Sequence, residues 1–134
     1  MNMKKILTIL GRVLLVLIML MPILGTLGVF PEPTADMYST EKAFNFIQAL
    51  TEAQYIPLLI ALIFAVAIGL TIANRMALVA LLILPITVNI VAFHWVLDGG
   101  PFTGGAVMGN VLLLLNLTFL WQNRKSYAVL LKKS

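Results

Sequence analysis

The residues able to do chemistry are few, and they fall in the second half of the chain. His94 precedes Asp98 by four positions in the run Phe93-His94-Trp95-Val96-Leu97-Asp98. On a helix that spacing places both on one face, where the carboxylate can orient the imidazole or hold its proton. Such a pair could shuttle protons to a quinone or another lipid-soluble substrate. It could equally mark a helix end, because Asp98-Gly99-Gly100-Pro101 is a strong turn signal. Asn89, Asn110, Asn116 and Thr118 are the other polar side chains in apolar surroundings. They read either as interhelical hydrogen-bonding partners or as anchors for a ligand head group. The absence of cysteine removes disulfides, thiolate metal sites and iron–sulfur clusters. A single histidine excludes a haem with two histidine ligands inside one chain. No phosphate-binding loop, nucleophile motif or two-metal carboxylate set is present.

These residues sit on elements that composition identifies. The 134 residues are 61% hydrophobic and 10% charged, with a mean hydropathy of +1.04. A soluble domain is about 45–50% apolar and about 25% charged, and a small one cannot hide this much apolar surface. Four apolar runs cover about residues 13–30, 56–73, 76–97 and 105–121. Crossing a bilayer core of about 30 Å needs roughly 20 residues at 1.5 Å each. Backbone groups in lipid must be paired within their own segment, and no alternation of the barrel kind appears. The sequence therefore predicts an all-α, four-transmembrane-helix bundle in one domain, 1–134. The helices are placed at about 6–30, 56–73, 76–97 and 105–122, with an outer interfacial segment at 31–55.

Charge sets the expected orientation. With four crossings, Lys4, Lys5, Arg12, Arg75, Arg124, Lys125, Lys132 and Lys133 share one side. Lys42 is alone on the other, with Glu32, Asp36, Glu41, Glu52 and Asp98. The positive-inside rule then predicts both termini in the cytoplasm. It also accounts for the net charge of +4 without nucleic acid. Lys4-Lys5 before an apolar run also resembles a secretory signal, but the run is long and lacks a small-x-small cleavage site, so a retained helix is expected.

Depth follows from the rise per residue. Asn89 and Asn116 come out at roughly 12 Å and 16 Å, which would let their amides bond each other near the midplane. His94 lies about 4–5 Å and Asn110 about 7 Å below the outer boundary, so Asn110 could join His94 and Asp98. Trp95 reads as an interfacial anchor. In the outer segment, Ala43, Phe46, Ile47 and Leu50 form an apolar stripe on a short helix that Ser39 or Thr40 can cap. That helix should lie on the membrane surface or over the bundle mouth. Pro57 falls in a first turn, whereas Pro22 and Pro85 lie inside helices. Gly25, Gly28 and Gly69 suggest close packing. Arg12 can reach lipid phosphates, and Asn74-Arg75 forms the tight inner turn.

Several of these blocks together resemble the DoxX-like family of small bacterial membrane proteins. They are Arg12 opening helix one, Phe30-Pro31-Glu32-Pro33, Tyr55-Ile56-Pro57-Leu58, Asn74-Arg75, and above all Leu84-Pro85-Ile86-Thr87-Val88-Asn89-Ile90-Val91-Ala92-Phe93-His94 with Leu97-Asp98. The ending Leu115 to Tyr127 is similar to that family's fourth helix and tail, so the resemblance covers nearly the whole chain. It implies a four-helix bundle in the bacterial cytoplasmic (inner) membrane. The family takes its name from a subunit associated with quinol oxidation and thiosulfate:quinone oxidoreduction. Many members carry a glutamate in mid helix two, where this chain has Phe64-Ala65-Val66-Ala67, and a lysine late in helix one, where it has Gly25-Thr26-Leu27-Gly28. Losing the intramembrane acid removes the proton-coupled group and favours binding or assembly over catalysis. The expected function is a non-enzymatic subunit or assembly partner of a membrane complex, respiratory or redox in kind. The alternatives are binding of a quinone or other lipid-soluble ligand through His94, Asp98, Asn89, Asn110 and Asn116, and a small transporter. The expected partners are the bilayer, a membrane protein and a second copy of this chain.

Overall fold

A computed structural model describes residues 1–133, so the C-terminal Ser134 lies outside the described residues. The order is α1 (Met3–Thr26), a short 3-10 turn (Ala35–Met37), α2 (Glu41–Ala53), α3 (Tyr55–Ile72), α4 (Met76–Ala92), α5 (Ala106–Gln122) and α6 (Arg124–Tyr127). No strand occurs among the described residues. Three segments, Met3–Thr26, Tyr55–Ile72 and Met76–Leu97, are long and apolar enough to cross a membrane. α5 is apolar but only 17 residues long, roughly 25 Å at 1.5 Å per residue. This is a helical membrane protein that passes the bilayer more than once.

Local signals set the ends of the helices. Asn2 caps α1, its side chain accepting from Lys5 N–H at 3.0 Å. At the far end of α1, Gly28 takes φ +78°. Its N–H reaches Gly25 C=O while Val29 N–H reaches Leu24 C=O, the paired bonds of a Schellman ending. α3 ends the same way, with Asn74 at φ +59° in the glycine position. Asn74 N–H bonds Thr71 C=O and Arg75 N–H bonds Leu70 C=O, which turns the chain tightly into α4. Of the two expected caps of α2, Ser39 and Thr40, it is Thr40 that accepts from Ala43 N–H, at 3.1 Å.

α1 packs on α3, α3 on α4 and α4 on α5. Leu15, Met19, Phe64, Val79, Ile83, Leu112 and Phe119 fill the interior. Leu14, Leu17, Leu58, Leu62, Val66, Leu78, Val88, Leu114 and Leu117 point outward. An apolar exterior on that scale suits lipid and would aggregate in water. Two ends result. One, the capped end, carries α2 and the 98–105 turn. The other carries the N-terminus, the 74–75 turn and α6. Arg12 meets Asn74 there, and Tyr127 Oη donates to Ala77 C=O at 2.9 Å.

Three expectations change. The last turn before Asp98 is not α-helical: Phe93–Leu97 widens into a π-turn, closed by Asp98 N–H on Phe93 C=O at 3.1 Å. Helix one stops at Thr26 rather than near residue 30, because Gly28 ends it. The close-packing glycines are not Gly25, Gly28 and Gly69. A Cβ at Gly28 or Gly69 would meet nothing, and one at Gly25 only the Phe30 ring at 3.9 Å. Among the glycines where helices approach one another, Gly11, Gly105 and Gly109 are the crowded ones. A Cβ on Gly11 would meet Phe119 at 3.4 Å, and one on Gly109 would meet Ile90 at 3.2 Å.

Phe64 tests the core directly, since its side chain is wholly buried. Between helices in lipid the transfer contribution is small, so Phe64→Ala should lose mainly packing around a void. At about 24 cal/mol per Å3 of cavity, a void on the order of 100 Å3 costs about 2 kcal/mol. Thermal unfolding in a mild detergent measures it, and an unchanged midpoint would mean the bundle collapses into the space.

Candidate functional site

The site is built on the π-turn. Its wider loop leads to Asp98, after which Gly99 (φ +92°) and Gly100 (φ +107°) reverse the chain before Pro101. Gly99 is required twice over. Its φ favours glycine, and a Cβ there would stand 2.9 Å from Ser39 Cβ and 3.0 Å from Thr103 Cγ2. The missing side chain lets the Ser39–Thr40 segment lie directly on the turn that follows the π-turn.

Asp98 is the centre of that contact and is only 2% exposed. Oδ1 accepts from Ser39 N–H at 2.7 Å, and Oδ2 faces His94 Nδ1 at 2.9 Å. The Thr40 hydroxyl adds a bond to Leu97 C=O. A buried carboxylate without partners would be costly, and here each oxygen has one. With the carboxylate ionised, Nδ1 is the donor, and neutral His94 keeps Nε2 as an acceptor. Nε2 has no hydrogen-bond partner among the described residues. The ring lies over Gly105, just before α5, and Gly109 within it. A Cβ at Gly105 would meet His94 Cε1 at 3.3 Å, and one at Gly109 would meet Cδ2 at 3.6 Å.

Beside this contact a cleft of ≈ 850 Å3 opens between α2, α3 and the last turns of α4. Its apolar wall is Phe46, Ile47 and Leu50 of α2, Ile56 and Ile60 of α3, and Ile86, Ile90 and Phe93 of α4 and its π-turn. Phe93 organises the aromatic side. Phe46 stacks on it at 5.8 Å and 28°, Tyr38 meets it edge-on at 6.2 Å and 84°, and His94 at 5.0 Å and 72°. Tyr38, Asn89 and His94 are its polar side chains. Burial, and then the charge of Asp98, hold the Tyr38 hydroxyl above its ordinary range, so it stays a neutral donor. An apolar cleft with a few convergent polar groups suits a ring-bearing, lipid-soluble molecule with a carbonyl or hydroxyl.

The structure brings together His94 and Asp98, and places Asn89 in the same cleft. It separates the other two asparagines from them. Asn110 accepts from Trp95 Nε1–H at 2.9 Å and donates to Pro101 C=O at 2.8 Å, tying the anchor tryptophan to the turn instead of joining His94. Asn116 is fully buried and donates to Ala80 C=O at 2.8 Å. Its Oδ1 has no partner among the described residues, so no bond joins it to Asn89. Asn89 donates to Pro85 C=O on its own helix at 3.1 Å. The buried face of α4 passes through Ala80, Ile83, Thr87 and Val91, and two residues beyond Thr87 is about 200° around the axis. Similar depth therefore does not bring the two amides face to face. Sequence reasoning missed Tyr38 and Phe93. It also missed Gly105 and Gly109, whose small-x-x-x-small spacing is a readable signal for close helix approach.

Removing the carboxylate should detach the cap. Asp98→Ala leaves Ser39 N–H and His94 Nδ1 without partners, a loss of about 2–4 kcal/mol. The expected results are a lowered unfolding midpoint in detergent and faster proteolysis within residues 31–55. Asp98→Asn keeps an acceptor for Ser39 and should lose less. Unaltered proteolysis of the Ala variant would show that apolar contacts alone hold α2. Comparison with known proteins returned no match: no family model, no curated protein and no solved structure matches the chain.

Proposed function

We propose that this chain is a DoxX-like, four-span protein of the bacterial cytoplasmic membrane that binds a lipid-soluble, ring-bearing ligand of the quinone class. In this reading it acts as a non-enzymatic subunit of a larger membrane complex. The observation that carries it is the ≈ 850 Å3 apolar cleft with Tyr38, Asn89 and His94 as its polar side chains. Phe46 and Phe93 offer ring faces to a planar head group, Asn89 Nδ2 can donate to a carbonyl oxygen of the quinone, and His94 Nε2 can accept from a hydroxyl of the quinol. The subunit reading follows from the same site. Asp98 is nearly inaccessible and both its oxygens are engaged, so it orients His94 and has no open route to water. Electrons for a bound quinone would then come from a partner protein.

Four crossings and cytoplasmic termini are part of the proposal. Eight of the nine lysines and arginines belong to the N-terminal segment, the 74–75 turn and the C-terminal segment, which meet at one end through Arg12–Asn74 and Tyr127–Ala77. The positive-inside rule puts that end in the cytoplasm. Reporter fusions after Arg75 and at the C-terminus should report cytoplasm, and fusions near Asp36 or Gly100 the outside. A periplasmic C-terminus would overturn the four-span count.

Ligand binding is tested by purifying the full chain in mild detergent and titrating a short-chain benzoquinone or naphthoquinone and its quinol, with mass spectrometry of co-extracted lipids and proteins. Wild type should retain both. Asn89→Leu should weaken the quinone and His94→Gln the quinol, each about tenfold for the loss of one hydrogen bond, at unchanged membrane level. A wild-type chain without quinone affinity would overturn the ligand reading, and a stable protein partner in that same preparation would leave the subunit reading standing alone.

A further inference from the structure

The guanidinium of Arg12 meets no anion among the described residues. The acidic residues Glu32, Asp36, Glu41, Glu52 and Asp98 all lie in the cap or at the capped end. Among the described residues the one carboxylate–base contact is that of Asp98 with His94. Arg12 is held at the opposite end by a neutral group, Nη1 donating to Asn74 Oδ1 at 2.7 Å. Asn74 is itself fixed by the turn that needs its positive φ. Arg12 Nε is buried and has no partner among the described residues. A charged donor in that state calls for an acceptor from outside the chain.

Beside the guanidinium, a trough of ≈ 380 Å3 runs between α1 and α3, walled by Ile9, Val13, Val16 and Leu17 and by Thr71 and Ile72. The Thr71 hydroxyl already donates to Ala67 C=O at 2.8 Å, so Arg12 is the polar group left to meet a ligand there. Leu17 lies five residues beyond Arg12 along α1, roughly 7.5 Å deeper into the bundle. We propose that this trough is a phospholipid site. Arg12 takes the headgroup phosphate, and one acyl chain lies along Val13, Val16 and Leu17. Guanidinium suits phosphate because its fork of donors matches two phosphate oxygens. Lys4 and Lys5 at the same end bias the site toward an anionic lipid. The site depends on the bundle being membrane-embedded and is independent of the cleft, so either can fail alone.

The test uses the full chain, stripped of lipid in mild detergent and offered phosphatidylglycerol, with retention read by native mass spectrometry. One tightly held phosphatidylglycerol per chain is expected. Arg12→Gln should lower its retention about tenfold, while Arg75→Gln, which removes the same charge from the same end, should not. Ile72→Trp fills the trough at a position 81% exposed, keeps the guanidinium, and should also lower retention. It decides the matter if Arg12→Gln fails to fold. Glycerol phosphate without acyl chains should not be retained. Equal loss in the Arg12 and Arg75 variants would reduce the effect to diffuse charge and overturn the proposal. So would retention that survives Ile72→Trp, or equal retention of glycerol phosphate.

Discussion

A carboxylate at the end of an apolar helix must find partners or stay in water, and Asp98 is almost entirely out of water. That constraint organises one end of the molecule. Oδ1 takes the Ser39 N–H, which holds the cap against α4, and Oδ2 takes His94 Nδ1, which fixes the ring. Gly99 can carry no side chain because Ser39 lies against it. Thr40, placed by this contact, starts α2 through its bond from Ala43 N–H. α2 then brings Phe46 onto Phe93. Without Asp98 the cleft would lose the attachment of its α2 wall, because the apolar stripe of a short helix fixes its face but not its position.

The rest of the bundle follows a different rule. In lipid the outside of a helix is as well solvated as its inside, so association depends on close packing and a few polar ties. Gly11 against Phe119 and Gly109 against Ile90 provide the close approach. Asn116 to Ala80 C=O provides a tie, with an acceptor left over. Thr71, Thr87 and Thr118 hydroxyls bond back to their own helices, on Ala67, Ile83 and Leu114, and contribute nothing between helices. Phe64 and Ala67 fill the inward face of α3.

The sequence made the helices legible because hydropathy measures length, and length is what a membrane selects. The 74–75 turn was legible too, and the cap of α2 was narrowed to Ser39 or Thr40, of which Thr40 makes the bond, because side chain and backbone chemistry there are local. Angular position around a helix was harder. Asn89 and Asn116 share a depth, yet Asn89 faces the cleft and Asn116 the interior. The π-turn was hidden because an i, i+4 pair such as His94 and Asp98 reads identically in either helix type. Glycines were misjudged for a related reason. Gly28 serves its backbone angle, while Gly105 and Gly109 serve a neighbour's ring, and one sequence alone does not separate the two uses.

The two ends of the bundle solve opposite electrostatic problems, and that contrast bears on what His94 can do. At the capped end one acid is buried and internally satisfied. At the other, a guanidinium is held by a neutral amide and meets no acid among the described residues. Asp98 is 2% exposed and each of its oxygens holds a donor, so it reaches the cleft through His94. His94 Nδ1 is committed to Asp98, and the ring is pinned between Phe93 and two glycines, Gly105 just before α5 and Gly109 within it. A ring held that firmly, beside an apolar cleft, loses little freedom when it accepts a hydrogen bond, which is what a binding site requires.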